Sequence, residues 1–173
     1  GLIEIYEALA AHGYREVGQE YLQNVLDTAK QLDAYDSGRI YYYLGEYQKA
    51  YLALDEARDK GGADSYLYLG RAYAATGDYN YASSVYNNYL SKQGPNAEIY
   101  NELGLCEMAK KEYQNALAAF QAGKQIEGNS LMQTLCFNEI VAYEYLEDYQ
   151  QAEVLMNAYL QNYPDDQTAI REQ

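Results

Sequence analysis

The side chains that usually do chemistry are few in this chain, and none stands in a catalytic pattern. His12 is the only histidine, and Cys106 and Cys136 are the only cysteines. Hydrolysis or group transfer needs a nucleophile beside a base, carboxylates held in a pocket, or metal ligands at a fixed spacing. One histidine in a predicted turn and two distant cysteines meet none of these requirements. The sequence therefore predicts no enzyme activity, no metal site and no cofactor.

The charge and the hydropathy argue against two classes of partner. The chain has 173 residues, about one domain, with 12 basic and 26 acidic residues and a net charge of −14. A field of this sign repels phosphate backbones, so no nucleic acid partner is expected. No run of 18 consecutive apolar residues occurs, so we expect no membrane insertion of this chain.

The elements that must position any functional side chain are predicted to be helices throughout. Pro95 and Pro164 are the only prolines, and Ala, Leu, Tyr, Gln and Glu dominate between them. Apolar residues recur at spacings of three and four, whereas alternation of apolar and polar residues never runs cleanly for six residues. These patterns favour an all-α fold.

Polar residues at three places predict the starts of helices. Asn96, directly after Pro95, is a natural N-cap. Two further pairs have the spacing of a capping box: Thr28 with Gln31, and Ser130 with Gln133.

Tyrosines follow short polar turns at a nearly constant period of 33, 32, 34 and 36 residues. These turn tyrosines are Tyr14, Tyr47, Tyr79, Tyr113 and Tyr149. Three residues beyond each lies a small or short residue: Val17, Ala50, Ala82, Ala116 and Ala152. Four residues further on lies a large apolar residue: Tyr21, Leu54, Tyr86, Phe120 and Met156. One helical face is thus repeated five times.

Glycines recur in register with the turn tyrosines. Gly38, Gly70 and Gly104 stand nine residues before Tyr47, Tyr79 and Tyr113. Glycine inside a helix costs about 1 kcal/mol relative to alanine, so its recurrence predicts the close approach of two helices.

Residues 63–95 carry the fullest version of the repeat: Tyr66, Leu69, Gly70, Tyr73, Gly77, Asp78, Tyr79, Ala82, Tyr86 and Pro95. In these residues the sequence resembles the tetratricopeptide repeat, a pair of antiparallel helices of about 34 residues. The resemblance extends over nearly the whole chain, from about residue 2 to Pro164. It implies an all-α, right-handed superhelical solenoid of antiparallel helix pairs.

The resemblance places the chain in a single repeat domain of residues 1–173. Its approximate repeats are 1–30, 31–62, 63–96, 97–130 and 131–164, and 165–173 is the start of a C-terminal helix. The first and last repeats depart from the pattern, because Glu4 and Glu139 stand at an apolar position and Ile5 and Ile140 replace glycine. Either the terminal helices pack differently, or the register slips there by one residue.

By analogy with the family, a concave groove is lined by residues five, eight and twelve positions before each turn tyrosine. The groove residues expected to bind a ligand are Tyr35, Arg39, Tyr42, Leu67, Arg71, Asn101, Leu105, Met108, Phe137 and Val141. Arg39 and Arg71 occupy the same position in consecutive repeats, which could hold a carboxylate or an acidic peptide. The alternative is two ordinary surface arginines paired with acids such as Asp36.

The abundance of tyrosine has two interpretations. Tyrosine suits a peptide-binding surface, but core use is expected to account for more than half of the 23 tyrosines.

Cys106 and Cys136 fall six positions apart on adjacent first helices, an offset of roughly 9 Å along the helix. A disulfide needs Cα atoms within about 7 Å, so two buried thiols without a bridge are expected.

Two functions of different classes follow from the resemblance. The first is a scaffold that binds a protein or peptide segment in the concave groove. The second is an architectural module that builds a homo-oligomer or joins a larger assembly. Few lysines, abundant Tyr, Asn and Gln, and the missing initiator Met before Gly1 favour a location outside the cytoplasm, with the targeting segment removed. A cytoplasmic location is the alternative.

Overall fold

The computed structural model describes residues 1–166, and every regular element within that range is a helix. The ten helices are α1 (Leu2–Ala11), α2 (Arg15–Thr28), α3 (Ala34–Tyr43), α4 (Tyr47–Glu56), α5 (Ala63–Ala75), α6 (Tyr79–Gln93), α7 (Ala97–Ala109), α8 (Tyr113–Lys124), α9 (Met132–Tyr145) and α10 (Tyr149–Asn162). Short turns join the two helices of each pair, which makes them antiparallel neighbours. The predicted all-α fold class is confirmed. Of the predicted C-terminal helix, residues 165 and 166 lie in a turn region and the rest lies outside the described residues.

The chain divides into two compact units, Gly1–Val85 and Tyr86–Gln173. The first unit has a core around Leu22 and Ile40, which are fully buried between α1, α2 and α3. The second unit has a core around Phe120 and Leu135 in α8 and α9. A further apolar cluster in the second unit packs α9 against α10 through Ile140.

The turns inside the helix pairs contain a residue in the left-handed backbone conformation. Gly45 and Gly77 have φ of 79° and 84°, two residues before the first residue of the next helix. Lys111 and Glu147 hold the same position with φ of 64° and 62°. Only glycine adopts this conformation without a steric cost, so the last two pairs are locally strained.

The first pair shows that the register predicted from Tyr14 is wrong by one residue. Its left-handed residue is Gly13, with φ of 87°, and α2 begins at Arg15 with Tyr14 outside it as the N-cap. Arg15 is therefore the structural equivalent of the other turn tyrosines. The small position of this repeat is Gly18, not Val17, and Val17 is 49% exposed.

At Gly38 and Gly104 the second helix of the pair approaches the first closely, as predicted, but the contact is made by a side chain and not by the backbone. A Cβ at Gly38 would lie 2.5 Å from Cγ of Leu54 on α4. A Cβ at Gly104 would overlap the ring of Phe120 on α8. The recurring glycine thus leaves room for the large apolar residue of the second helix, which is fully buried in both pairs.

In the first pair the large side chain lies on the first helix and the glycine lies on the second helix, the reverse of the pairs that contain Gly38 and Gly104. In the corrected register Tyr6 occupies the glycine position, and its ring packs on α2 at Gly18. A Cβ at Gly18 would lie 2.9 Å from Cδ2 of Tyr6. Gly18 lacks the methyl group of the alanine found at this position in the other repeats. The space is filled by the ring of Tyr6, which stands where other repeats have glycine.

The last pair keeps its register, so Glu139 does not mark a slip. Glu147 has the same turn position as Lys111, and Ile140 is packed with Ala152 where other repeats have glycine. Glu139 is 5% exposed and accepts a hydrogen bond of 2.7 Å from Lys124 on α8. The buried carboxylate is thus paired, as a buried charge must be.

One predicted cap is confirmed and the two capping boxes are wrong. The side chain of Asn96 accepts a hydrogen bond of 3.0 Å from the Ile99 N–H and caps α7. Thr28 instead ends α2 and donates its hydroxyl to the Asn24 carbonyl. Ser130 precedes α9 without capping it, because the N-cap there is Leu131.

Candidate functional site

Three of the predicted groove residues are packed against other side chains of the chain, and two of them are buried. Leu67 is 3% exposed, and Asn101 is 8% exposed with its side-chain oxygen accepting a hydrogen bond of 2.8 Å from Asn138. Phe137 is half-buried and packs edge-on against Tyr159, at 5.5 Å between ring centroids. The family analogy placed these side chains in a groove, but packing against neighbouring helices occupies them.

Arg39 is already engaged by its own helix. Its guanidinium lies 4.3 Å from the centre of the Tyr35 ring and donates a hydrogen bond of 2.5 Å to Asp36. Although burial opposes the charge, the hydrogen bond to Asp36 and the charges around it raise the pKa of Arg39. The ion pair with Asp36 that the sequence offered as an alternative is therefore what the structure shows at Arg39. Arg71 is half-buried on α5.

Three other predicted residues come together in one cleft of the second unit. Leu105, Met108 and Val141 line an open cleft of about 440 Å³ between the first helices α7 and α9. We call this the apolar cleft. Its lining residues are Leu105, Met108, Ala109, Lys111, Tyr113, Phe120, Asn138, Val141 and Tyr145.

Large apolar side chains of the apolar cleft remain exposed to solvent. Leu105 is 44% exposed and Tyr145 is 58% exposed. The ring of Tyr113 stacks on the ring of Tyr145, with 5.0 Å between centroids and 28° between planes. The sequence reasoning missed Tyr145, although its position four residues before Tyr149 is also that of Tyr43 before Tyr47.

A second cleft lies in the first unit, between α1, α2 and the end of α3. It has a volume of about 430 Å³ and contains one predicted groove residue, Tyr42. We call it the tyrosine cleft. Its lining residues are Tyr6, Glu7, Ala10, Arg15, Gln19, Tyr42, Tyr43, Gly45 and Tyr47.

The rings of the tyrosine cleft meet at steep angles. Tyr6 and Tyr43 are 4.8 Å apart with planes at 43°, and Tyr42 meets Tyr43 at 77°. Tyr42 also lies 5.8 Å from Tyr47, with planes at 59°. Such tilted and edge-to-face pairs are favourable arrangements of aromatic quadrupoles. The cleft is thus bounded by ring walls that point in different directions.

Hydrogen bonds hold the Tyr43 side chain in the lining of this cleft. The Tyr43 hydroxyl donates a hydrogen bond of 3.2 Å to the carboxylate of Glu7 and lies 2.9 Å from the Tyr68 hydroxyl. Burial, and then the hydrogen bond with Tyr68, raise the pKa of Tyr43 far above that of a free tyrosine. Tyr43 therefore stays protonated and orients the exposed Glu7 carboxylate.

The two clefts occupy equivalent places in their units. Counted back from the first residue of the second helix, Glu7 corresponds to Leu105, and Ala10 corresponds to Met108. The first residue of that helix is Arg15 in one cleft and Tyr113 in the other. On the following repeat, Tyr43 and Tyr145 share the position four residues before the second helix. The equivalence holds in the register of the first repeat that begins α2 at Arg15.

Most tyrosines are half-buried. Five of the 23 are buried, and Tyr21, Tyr43, Tyr143 and Tyr163 pack against the core clusters from half-buried positions, so the expectation that core use accounts for more than half stays a prediction. Four are exposed, and the others are half-buried. This distribution leaves many rings at the surface for contacts.

The cysteines and the metal-ligating side chains are the remaining groups that could do chemistry. Cys106 and Cys136 are both free thiols; Cys106 is buried as predicted, whereas Cys136 is only half-buried. Burial raises the pKa of Cys106 to about 12, which keeps it a poor nucleophile. Within residues 1–166, no group of three or more His, Cys, Asp or Glu side chains is placed to hold a metal ion. No helix in that range is long and apolar enough to cross a bilayer.

Sequence comparison identifies the family of the chain. Residues 35–80 and 69–129 match the family model of the tetratricopeptide repeat, over more than half of the sequence. The chain therefore belongs to the tetratricopeptide repeat (TPR) family. No curated protein sequence matches it.

Solved TPR structures have the same fold at low sequence identity. MamA (residues 41 to the end) from Desulfovibrio magneticus RS-1 is 17% identical and superposes with a TM-score of 0.69 over 95% of both chains. A tetratricopeptide repeat protein from Parabacteroides merdae ATCC 43184 is 18% identical, with a TM-score of 0.70 over 97% of this chain and 68% of that chain. YrrB, described as a TPR protein with an unusual peptide-binding site, is 18% identical, with a TM-score of 0.67 over 99% of this chain and 89% of that chain.

These similarities show the fold, and the family model shows the class of protein. A TPR fold is typical of a protein–protein interaction scaffold, so the general prediction of a protein partner is supported. The segment that is bound, and the surface that binds it, depend on the side chains of this particular chain.

Proposed function

We propose that this chain is a non-enzymatic binding scaffold that holds a segment of another protein in the apolar cleft. The observation that carries the proposal is the exposure of Leu105 and Tyr145 around a cleft of about 440 Å³. Concave apolar sites with a few polar groups are the usual form of ligand pockets. The bound segment places a large apolar side chain against Leu105, Met108 and Val141.

The electrostatics of the second unit favour a basic segment. The unit from Tyr86 onward contains five basic and thirteen acidic residues. Glu112, Glu144 and Glu147 are exposed within two residues of the cleft lining, and they outnumber Lys111, the one basic residue of that lining. Positive charge on the partner therefore speeds association and improves complementarity at the rim. The preferred segment combines an apolar anchor with flanking lysine or arginine.

This proposal replaces the predicted preference for acidic groups. That preference required open guanidinium groups at Arg39 and Arg71, but Arg39 is held by Tyr35 and Asp36. An acidic ligand would share the Arg39 guanidinium with the carboxylate of Asp36 and would meet the repulsion of the acidic chain. A ligand can bind the exposed side chains of the apolar cleft without displacing an ion pair of this kind.

The experiment is a selection of peptides from a random library displayed on phage, with the full chain as the target. We expect the selected peptides to carry a large apolar residue flanked by Lys or Arg. In Leu105→Asp and Tyr145→Asp their affinity should fall at least tenfold, since burial of one such side chain contributes about 1.5 to 3 kcal/mol. Isothermal calorimetry measures the affinity, and circular dichroism verifies that each variant is folded.

The matched control is Val154→Asp, which changes an apolar residue of similar exposure, 57%, on α10. Its affinity should equal that of the original chain. Selected peptides that bind Leu105→Asp and Val154→Asp equally well would place the binding surface elsewhere. Sedimentation in the same buffer tests the architectural alternative, which requires self-association at the concentrations used for binding.

A further inference from the structure

We propose that the tyrosine cleft is a second binding site, specific for a lysine or arginine side chain of a partner protein. It consists of residues of the first unit only, so it does not depend on the apolar cleft for its formation. The proposed contacts are the alkyl stem of the bound side chain on the tyrosine rings and its cationic head at Glu7.

The arrangement of the rings supports a cationic ligand. The pairs Tyr6–Tyr43, Tyr42–Tyr43 and Tyr42–Tyr47 have interplanar angles between 43° and 77°, and all four rings line the cleft. The Tyr113–Tyr145 pair in the apolar cleft is stacked at 28° instead. Ring walls at different angles form the kind of aromatic cage that attracts an organic cation through the electron-rich ring faces.

The carboxylate of Glu7 adds the opposite charge. Glu7 is exposed, and the hydrogen bond of 3.2 Å from Tyr43 uses only part of the accepting capacity of its two oxygens. The first unit contains seven basic and thirteen acidic residues, so its overall field also favours a cation.

The first unit already makes this type of contact with its own cations. Arg39 lies over the Tyr35 ring at 4.3 Å, and Lys49 lies over Tyr41 at 5.7 Å. These contacts lie outside the tyrosine cleft and show that tyrosine faces in this unit are used for cations. The cleft offers several rings and a carboxylate together, which these internal contacts do not.

Arg15 is the one lining group that opposes a cationic ligand. It is exposed at the first position of α2 and lines the same cleft as Glu7. Its charge weakens the site, and its removal should strengthen the binding of a cation. An anionic ligand would respond in the opposite sense, which makes Arg15 the residue that distinguishes the two.

The experiment titrates the full chain with four tripeptides, acetyl-Gly-X-Gly-amide, in which X is Lys, Arg, norleucine or Glu. Nuclear magnetic resonance of ring-labelled tyrosine reports the site. We expect saturable shifts of the cleft tyrosines with Lys or Arg, and at least tenfold weaker binding of norleucine and Glu. Affinity for Lys should fall as salt is raised from 50 to about 500 mM, because exposed charges are screened.

Variants then assign the contacts. Glu7→Gln should weaken binding of the Lys tripeptide about tenfold, and Arg15→Gln should strengthen it. Glu20→Gln, an exposed acid of α2 outside the cleft lining, and Tyr81→Leu, an exposed tyrosine of α6, should change nothing.

Three outcomes would overturn the proposal. The first is the absence of saturable shifts, and the second is equal binding of norleucine and Lys. The third is preferential binding of the Glu tripeptide that is lost in Arg15→Gln, which would make the cleft an anion site. None of these outcomes affects the peptide selection at Leu105, so the two proposals fail separately.

Discussion

The tyrosine cleft and the apolar cleft are built at the same place in the repeat and have different surfaces. Position by position, Glu7 and Arg15 of one cleft stand where the other has Leu105 and Tyr113. The shared Tyr43 and Tyr145 keep an aromatic wall in both. The repeat therefore determines where a cleft forms, and a few side chains decide whether it suits a charge or an apolar group.

A similar exchange occurs inside the helix pairs below these clefts. The fourth repeat combines Gly104 with the large ring of Phe120, whereas the first combines Tyr6 with Gly18 and the smaller Leu22. Each of these repeats thus packs its large ring against a glycine of the facing helix, but the ring and the glycine have exchanged helices between the two repeats. Equivalent positions are thus coupled in size, and a single change should break the pair.

The largest expected effect is that of Gly104→Leu in the fourth repeat. The added side chain would overlap the Phe120 ring in a fully buried site, so the free energy of unfolding should fall by about 3 kcal/mol or more. Urea denaturation followed by circular dichroism measures the loss.

A double variant tests the cause of that loss. In Gly104→Leu with Phe120→Ala, the ring that collides is absent, so the two losses should sum to more than the loss of the double variant. Additive losses would show that Gly104 is needed for another reason than room for Phe120.

An intermediate effect is expected from the stacked pair of the apolar cleft. Tyr113→Arg copies the first repeat, where Arg15 has this position, and it removes the stack on Tyr145. Because such a pair contributes about 0.5 to 1.5 kcal/mol beyond its buried area, the free energy of unfolding should fall by about 1 kcal/mol.

Tyr149 provides the matched control for this prediction. It is the first residue of α10, is 59% exposed and contacts no other ring within residues 1–166. Tyr149→Arg should therefore change the free energy of unfolding by less than about 0.5 kcal/mol. Equal losses in Tyr113→Arg and Tyr149→Arg would show that stacking on Tyr145 contributes nothing.

The sequence was sufficient to predict the fold because the repeat is redundant. Turn tyrosines, glycines and small residues recur, so errors at one repeat are outweighed by agreement at the others. The register predicted for the first repeat is wrong by one residue because Tyr14 is a tyrosine after a polar turn, whereas the true equivalent, Arg15, is not a tyrosine. What identifies the true register is the left-handed Gly13, a backbone property that the spacing of tyrosines does not report.

The candidate site was only partly predictable for a different reason. Leu105, Met108 and Val141 were found by family analogy, because their positions face the same side of neighbouring first helices. The same analogy failed at Asn101, whose side chain pairs with Asn138 on the next first helix. Which long side chains turn toward a neighbour and which stay exposed depends on pairwise contacts, and these are not encoded in the spacing.

The smallest expected effect concerns the turns, where the first unit has glycines and the second has Lys111 and Glu147. Glu147 has φ of 62°, a conformation that costs an L-residue about 1 to 2 kcal/mol, and it places a negative charge at the C-terminal end of α9. Glu147→Gly removes both penalties but adds about 0.5 to 1 kcal/mol of backbone entropy to the unfolded chain. The net gain in the free energy of unfolding should be about 0.5 to 1 kcal/mol, seen as a higher urea midpoint.

Glu147→Gln keeps the Cβ and removes the charge, so it should recover only the electrostatic part of the gain. The reverse change in the first unit, Gly77→Glu at φ of 84°, should lower the midpoint. If Glu147→Gly were less stable than Glu147→Gln, the left-handed residue would not be a source of strain, and the turns of the two units would be energetically alike.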